Sequence, residues 1–331
     1  MAARATDPPH VGRGYEVTHP VSGVVHVGAA RQSHGCDHDG CLGHQMHGGD
    51  STERAAMPRE DPPIAHGYHG QMDSPEQPTS DAAWTATDLK SDPHQAADKA
   101  MRVRSMFTSI AKRYDLNNRL HSMWRDQAWR RRVVRMAGIG TQDDVLDMAC
   151  GTGDLTEMLA CAGPHSVLGM DFTEAMLKIA EKKSAAAKQR PGRTSPTFQH
   201  GDAMAIELPD SSMDVLTIAF GIRNVTDPVG AVAEFARVLR PGGRLLVLEF
   251  STPAWWLPRI VNAIYSRHIM PVTATLLSGD RSRAYHYLPR SVATFADPKR
   301  LAAMVASQGF DVQQQAPLTM GICTVTQATR C

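Results

Sequence analysis

One short stretch, Val145-Leu-Asp-Met-Ala-Cys-Gly-Thr-Gly-Asp154, carries an acid and two glycines at chemically useful spacing. Asp147 ends a run of strand character. Gly151 and Gly153 flank Thr152 on a turn that opens a helix at Asp154. Glycine lets a backbone turn sharply and approach a ligand closely, because no Cβ intervenes. A helix after such a turn offers unsatisfied N–H groups and a positive dipole end. Open α/β sheets bind cofactors in this position, at the carboxyl end of a parallel strand. Charge then selects the cofactor. A dinucleotide site has a third glycine where this chain has Thr156, and seats a pyrophosphate on the helix. Asp147 and Asp154 would repel that group. They suit a positively charged ligand without phosphate, such as S-adenosylmethionine with its sulfonium and amino groups.

Two later acids extend the pattern. Asp171 ends the second strand, where a carboxylate accepts both hydroxyls of a ribose, and Phe172 beside it can stack on a purine. Asp202, in Gly201-Asp-Ala203 after the third strand, is placed to accept from an adenine amino group, with the Ala203 N–H facing a ring nitrogen.

These residues need a particular scaffold. Strands are predicted at Val145–Met148, Ser166–Met170, Thr197–His200, Val215–Phe220 and Arg244–Glu249. Helices are predicted between them, at Asp154–Cys161, after Thr173 and at Pro228–Leu239. That alternation predicts an α/β fold with a mostly parallel sheet and helices on both faces. Phe310–Gln315 and Gly321–Thr326 then close it as antiparallel strands, for seven in all. Ahead of the first strand, Met101–Tyr114 has apolar residues at helical spacing, and a second helix is expected over Ser122–Val134, with Trp124, Trp129 and Val133 available for packing. Together they form a lid, at about residues 100–135, over the crevice. Trp255–Leu277 is unusually apolar: it lies on a bilayer surface, walls a substrate channel or packs as a buried helix.

The 331 residues sum to a net charge of +1, unevenly placed. Residues 1–98 carry 6 Lys/Arg and 14 Asp/Glu; residues 99–135 carry 11 Lys/Arg and two acids, Asp115 and Asp126. A near-neutral total argues against a nucleic-acid protein. Residues 1–95 are rich in Pro, Gly, Asp, Ser and His and lack period, so they read as a disordered tail before a single domain at 96–331. Cys36, His38, Cys41, His44 and His47 are soft ligands there, but the spacing lacks a second matched pair, and no metal site is assigned. No signal peptide, disulfide framework or spanning segment is evident, which predicts a cytoplasmic protein, with peripheral contact on the inner face of the membrane left open.

Several stretches are more specific than the glycine turn. They are Met106-Phe-x-x-Ile-Ala-x-Arg-Tyr-Asp115, Asn118, Ser122, Trp129-Arg130, Ile218-x-Phe-Gly-Ile-Arg-Asn-Val225, Leu239-x-Pro-Gly-Gly243, Leu248-Glu-Phe-Ser251, Ala284-Tyr-x-Tyr-Leu-Pro-x-Ser291 and Leu318-Thr-x-Gly-Ile322. Over about residues 99–327 the chain resembles the ubiquinone/menaquinone biosynthesis C-methyltransferase family, within the class I S-adenosylmethionine-dependent methyltransferases. It departs at Trp124 and Asp126, where the family often has Gly-x-His. It also departs at Ala219, where a Ser is common, and at Pro271-Val-Thr-Ala. The resemblance implies a Rossmann-like fold and S-adenosylmethionine held by Asp147, Gly151, Thr152, Gly153, Asp171, Phe172, Asp202, Ala203 and Ala219. It implies methylation of a ring carbon of a polyprenylated hydroquinone, by an enzyme acting as a homodimer or within a quinone-biosynthesis complex. It places Arg223 and Asn224 over the methyl group, Arg223 stabilising an oxyanion or orienting a water, with Tyr114 at the ring oxygen. A salt-bridged, structural Arg223 is the alternative. His121 and His286 are bases by type, but neither is placed at the ring. Other acceptors, a nicotinamide oxidoreductase and a non-catalytic cofactor-binding partner remain open on sequence alone.

Overall fold

The computed structural model describes residues 83–187 and 192–331. The tail expected to be disordered, and its Cys/His cluster, otherwise lie outside the described residues. Within it, residues 83–95 correct the expectation. Trp84 is 1% exposed and stacks on Tyr287 at 4.6 Å. Pro93 is buried, and His94 Nε2 lies 2.9 Å from the Ser291 carbonyl oxygen. The folded region therefore begins at least a dozen residues before the boundary expected from composition. A large aromatic with a partner outweighs the Pro- and Asp-rich stretch around it.

Three helices follow: α1 (Lys99–Ile110), α2 (Tyr114–His121) and α3 (Arg125–Ala137). The alternating region is β1 (Asp144–Met148), α4 (Asp154–Ala160), β2 (Ser166–Asp171), α5 (Glu174–Ala186), β3 (Thr197–His200), β4 (Met213–Ala219), α6 (Pro228–Val238) and β5 (Leu239–Phe250). Then come α7 (Trp256–Ile264), a π-helical stretch at Tyr265–Ile269, α8 (Met270–Ser278), α9 (Ala284–Thr294), α10 (Pro298–Ala306), β6 (Phe310–Leu318) and β7 (Cys323–Arg330). The seven strands form one sheet in the order β3-β2-β1-β4-β5-β7-β6. β1 to β5 are parallel, and β7 is antiparallel to both β5 and β6. β5 starts five residues earlier than predicted, because Leu239 pairs with Met213 across an irregularity in the ladder.

Strand alternation sorts the core. Leu146, Met148, Leu216 and Ile218 face α6 and α10, while Val145, Val215, Leu155 and Leu159 meet α3 and α4 on the other side. Asp147 and Thr217 lie on the second face between those apolar residues. The chain order reverses between β1 and β4, which is where a doubly wound sheet opens a crevice at its carboxyl edge. α1 packs over that edge through a third core that includes Val103, Met106 and Ile110, while α3 belongs to the second core. Trp129 and Val133 are buried as expected. Trp124 is not: it is 57% exposed, in a left-handed conformation just before α3.

The post-β5 helices settle another expectation. No residue of α7 is buried, so it is not a packing helix of the interior. Trp255, Trp256, Leu257, Ile260, Val261 and Ile264 are all more than half or half exposed. Burying that face requires something beyond this chain's described residues.

Candidate active site

A crevice opens over the carboxyl ends of β1, β2 and β4. A smaller recess lies beside it, under the glycine turn. Ala149, Gly151, Asp171, Phe172, Asp202, Ala203, Ala219, Asn224 and Tyr114 line the first. Asp147, Thr152 and Asp154 line the second, with Tyr114, Ala149, Gly151 and Ala219 shared by both. Ala149, at the end of β1, and Phe220, at the end of β4, hold φ of 53° and 61°. Left-handed backbone at non-glycine residues is strained and tends to gather at functional sites.

The glycine turn is built as its sequence predicts. Gly151 and Gly153 have φ of 58° and 79°. A Cβ on Gly153 would also meet Ala180 Cβ at 3.0 Å and the Phe198 ring at 3.2 Å. Beneath the turn, Asp147 is 1% exposed and accepts from Thr156 Oγ1 at 2.6 Å and Thr217 Oγ1 at 2.7 Å. Burial raises its pKa to about 6, against the pull of those two hydroxyls. Thr156 thus does more than break the dinucleotide pattern; its hydroxyl holds the acid.

Asp171 sits at the turn's other side. Its oxygens accept the Gly151 and Thr173 N–H groups, each at 2.8 Å. Burial pushes its pKa up, and the two N–H bonds oppose that shift. Each oxygen keeps a lone pair for a ligand hydroxyl. Phe172 presents a ring with the Arg104 guanidinium 5.4 Å from its centroid. Asp202 accepts the Met204 N–H at 2.9 Å, which fixes its side chain at the crevice wall. Ala203 is 6% exposed beside it. These groups fit S-adenosylmethionine: buried acids at both ends of a glycine turn, an aromatic face and an apolar wall, the one arginine of the recess, Arg130, being paired with Asp126 at 3.1 Å.

Asp154 departs from the expected arrangement. Its carboxylate is bound by Lys183 and lies 3.1 Å from Arg119. Lys183 also reaches Asp115 at 2.8 Å, and Asp115 accepts from Thr152 Oγ1 at 2.5 Å. Its ion pairs hold its pKa below the usual range, although burial opposes them. The negative charge that seemed aimed at the cofactor is largely spent on latching the lid to the glycine turn.

The chain matches the ubiE/COQ5 methyltransferase family over residues 95–330. It belongs to that family. It is 44% identical over 226 residues to a demethylmenaquinone methyltransferase of Deinococcus radiodurans, covering 68% of this chain and 91% of that one. It is 39% identical over 240 residues to a protein of Geobacter sulfurreducens named ubiquinone/menaquinone biosynthesis C-methyltransferase UbiE, covering 72% and 92%. Among solved structures, an S-adenosylmethionine-dependent methyltransferase of Thermotoga maritima aligns with a TM-score of 0.48 at 16% identity, over 69% of this chain and 100% of that one.

The family's Phe-Gly-x-Arg-Asn stretch, Phe220–Asn224, forms a turn after β4, completed by a short 3-10 segment at Ile222–Asn224. Asn224 lines the crevice. Its Nδ2 donates to the Phe220 carbonyl at 3.2 Å, and its Oδ1 accepts the Tyr287 hydroxyl at 3.0 Å. Arg223 is different. It is 5% exposed and absent from the crevice lining. Its Nη1 donates to Glu249 Oε1 at 2.7 Å and to the Phe220 carbonyl at 2.8 Å. The expectation that it faces the reacting oxygen is corrected to the alternative, a buried ion pair. The reason is that Glu249, 3% exposed at the end of β5, would otherwise hold its charge alone.

Tyr114 reaches both the crevice and the recess. Burial around its hydroxyl raises its pKa, so at neutral pH it is a hydrogen-bond donor and not a base. His121 is occupied elsewhere, its Nδ1 3.0 Å from the Tyr265 hydroxyl. Three contributors were not assigned from sequence: Thr217 under Asp147, Glu249 behind Arg223 and Tyr287 behind Asn224. The family-like stretches containing Glu249 and Tyr287 were the available signal.

Proposed function

We propose that this protein methylates a ring carbon of a polyprenylated hydroquinone, demethylmenaquinol or a methoxy-polyprenyl-benzoquinol, in quinone biosynthesis. The observation that carries the reading is a pair of adjacent cavities that share Tyr114, Ala149, Gly151 and Ala219. Together they join the acids and glycines suited to S-adenosylmethionine with Tyr114 and Asn224 on an otherwise apolar wall. Family membership and the names of the relatives support it. Bound there, S-adenosylmethionine would supply an electrophilic methyl group on sulfur.

The residues of the chain then have distinct tasks. Asp147, Asp171 and Asp202 would hold the cofactor's amino group, ribose and adenine, with Phe172 against the purine. The acceptor carbon is nucleophilic only as its phenol loses a proton, and free phenols titrate near ~10. Tyr114 would donate to the quinol oxygen and stabilise the growing negative charge. Asn224, its amide fixed by Phe220 and Tyr287, would orient the ring. Arg223 acts through this turn as a positioning residue. Ala219 leaves space where a hydroxyl is common in the family.

The apolar face of α7 would rest on the membrane that holds the polyprenyl substrate. Trp255 and Trp256 are 76% and 70% exposed, and residues 251–279 include Arg259 and Arg267 but no acid. Such a face suits an anionic bilayer surface. No helix among the described residues is long and apolar enough to cross a membrane. The decisive assay offers labelled S-adenosylmethionine with each reduced quinol separately. Label on a ring carbon of either product supports the proposal. Tight cofactor binding without transfer to either would overturn it.

A further inference from the structure

We propose that Lys99 is a positioning residue of this methyl-transfer site, its buried ammonium pinning the Val225 edge of the crevice and keeping that edge electropositive. The inference rests on the quinol reading above. Lys99 opens α1 and is 1% exposed. Its Nζ donates to the Val225 carbonyl oxygen at 2.6 Å. Val225 lines the crevice, as does Ala100, the next residue along α1. The ammonium therefore sits behind the wall at the point where the lid meets the Arg223–Asn224 turn.

Of its charged neighbours, Asp92 acts in its favour and Arg223 against it. No ion pair among the described residues includes Lys99. Asp92 acts favourably on its charge but also caps a short helical turn by accepting the His94 N–H at 3.0 Å. Arg223 opposes it, and Arg223 is already paired with Glu249 at 2.7 Å. His94 lies close enough to feel the lysine, with its own pKa lowered first by burial. Tyr287 faces the same group of charges as a neutral hydroxyl, its pKa raised to about 12 by burial. Within this cluster Arg223 and Glu249 pair with each other, and the charge that favours Lys99 is that of Asp92, with which it forms no ion pair among the described residues.

Burying such a cation is unfavourable, and for Lys99 the outcome is a pKa lowered to about 8. A fold that only needed to satisfy the Val225 carbonyl could do so with a neutral donor. A positive charge behind the wall does something more: it favours the ionised over the neutral form of a phenol in the crevice. That is the form from which the ring carbon reacts. The hydrogen bond has a second effect. It ties α1 to the edge that carries Asn224, so the acceptor wall is set by the lid.

The test uses Lys99→Met and Lys99→Arg in the full chain. Cofactor affinity is measured by calorimetry, turnover with demethylmenaquinol from pH 6 to 9.5, and urea unfolding from pH 7 to 10. Lys99→Met should bind S-adenosylmethionine like wild type yet turn over on the order of tenfold more slowly, below the ~10²–10³ typical of a direct oxyanion donor. Wild-type turnover should lose this contribution as pH rises through about 8, and Lys99→Arg, which stays charged, should not. The unfolding data need no substrate. Between pH 8 and 10 the unfolded chain holds the lysine proton and the native state releases it, so wild-type stability should rise relative to Lys99→Met. A Met variant with wild-type turnover and pH profile overturns the proposal. So does a stability gap that stays constant with pH. If the wild type itself transfers no methyl to either quinol, the functional reading falls by that result alone, and the unfolding curves still decide Lys99.

Discussion

On the glycine-turn side of the crevice, two of the acids are held in part by their own neighbourhood. Asp171 accepts the N–H of Thr173, two residues on, and Asp202 that of Met204, also two residues on. On the lid side, the supports come from far along the chain. Asn224 depends on Tyr287, 63 residues later, and Val225 on Lys99, 126 residues earlier. Arg223 is fixed by Glu249 across the strand ends. The cofactor wall thus combines such short-range bonds with longer ones, Asp147 to Thr217 among them, whereas the acceptor wall rests on contacts from α1, α9 and β5. Substitutions should separate the two walls: one set shifts cofactor affinity, the other shifts stability and turnover.

The strongest break should come at Arg223. Arg223→Ala leaves Glu249 buried without its partner, and removing one member of such a pair costs about 3–5 kcal/mol. Urea unfolding should show that loss together with a fall in turnover. Replacing both residues with Met should recover much of the stability but not the turnover. Recovery of both would mean the pair serves only the fold.

Tyr114→Phe should be cleaner. It removes one hydroxyl, and turnover should fall on the order of 10²-fold, as for loss of a positioned proton donor. Cofactor affinity should hold; a matching drop in affinity would assign Tyr114 to the wrong wall. Asp171→Asn should do the reverse, weakening cofactor binding by about 1.5–3 kcal/mol, the range for hydrogen bonds to a charged group. Turnover at saturating cofactor should change little, and calorimetry beside a saturation curve tests the split.

Acidity sharpens the comparison further. Burial raises the Asp147 pKa to about 6, so its carboxylate is lost as pH falls through that value. If the ionised form holds the cofactor's amino group, affinity should drop about tenfold from pH 7 to pH 5, one protonation step on a group titrating between them. In Asp147→Asn that pH dependence should flatten. The smallest effect on chemistry is expected at α7. Trp255→Ala with Trp256→Ala should alter turnover of a short-chain quinol in solution by no more than about 0.5 kcal/mol, as for exposed sites generally. The same protein should fail to sediment with anionic vesicles. Undiminished sedimentation would remove α7 from the membrane contact.

The sheet could be read from sequence because its central strands are short apolar runs and turn residues separate all of them, the more polar β3 included. β3 matches its predicted bounds, Thr197–His200. Asp147, Asp171 and Asp202 were legible for the same reason: each stands at a strand end, where position alone places it at the crevice. Arg223 was misjudged because nothing nearby in sequence shows Glu249, whose 26-residue separation closes only through the pairing of β4 with β5. Trp84 and Lys99 were missed in a similar way. One looked like part of an unstructured stretch and the other like one more charge on a basic helix; their partners lie on α9 and after β4. Asp154 was misread because spacing reveals a carboxylate but not the Lys183 that occupies it.

The two walls touch at Gly221. A Cβ there would stand 2.6 Å from the Ala149 Cβ and 3.0 Å from Ile218 Cγ1. The turn after β1 and the turn after β4 therefore press together with no room for a methyl group. An alanine at this point would act as a wedge, tilting the acceptor wall away from the cofactor wall while every polar group of both remained in the chain. The spacing of the two turns is thus gauged in part by a hydrogen atom, on a residue that itself lines the crevice.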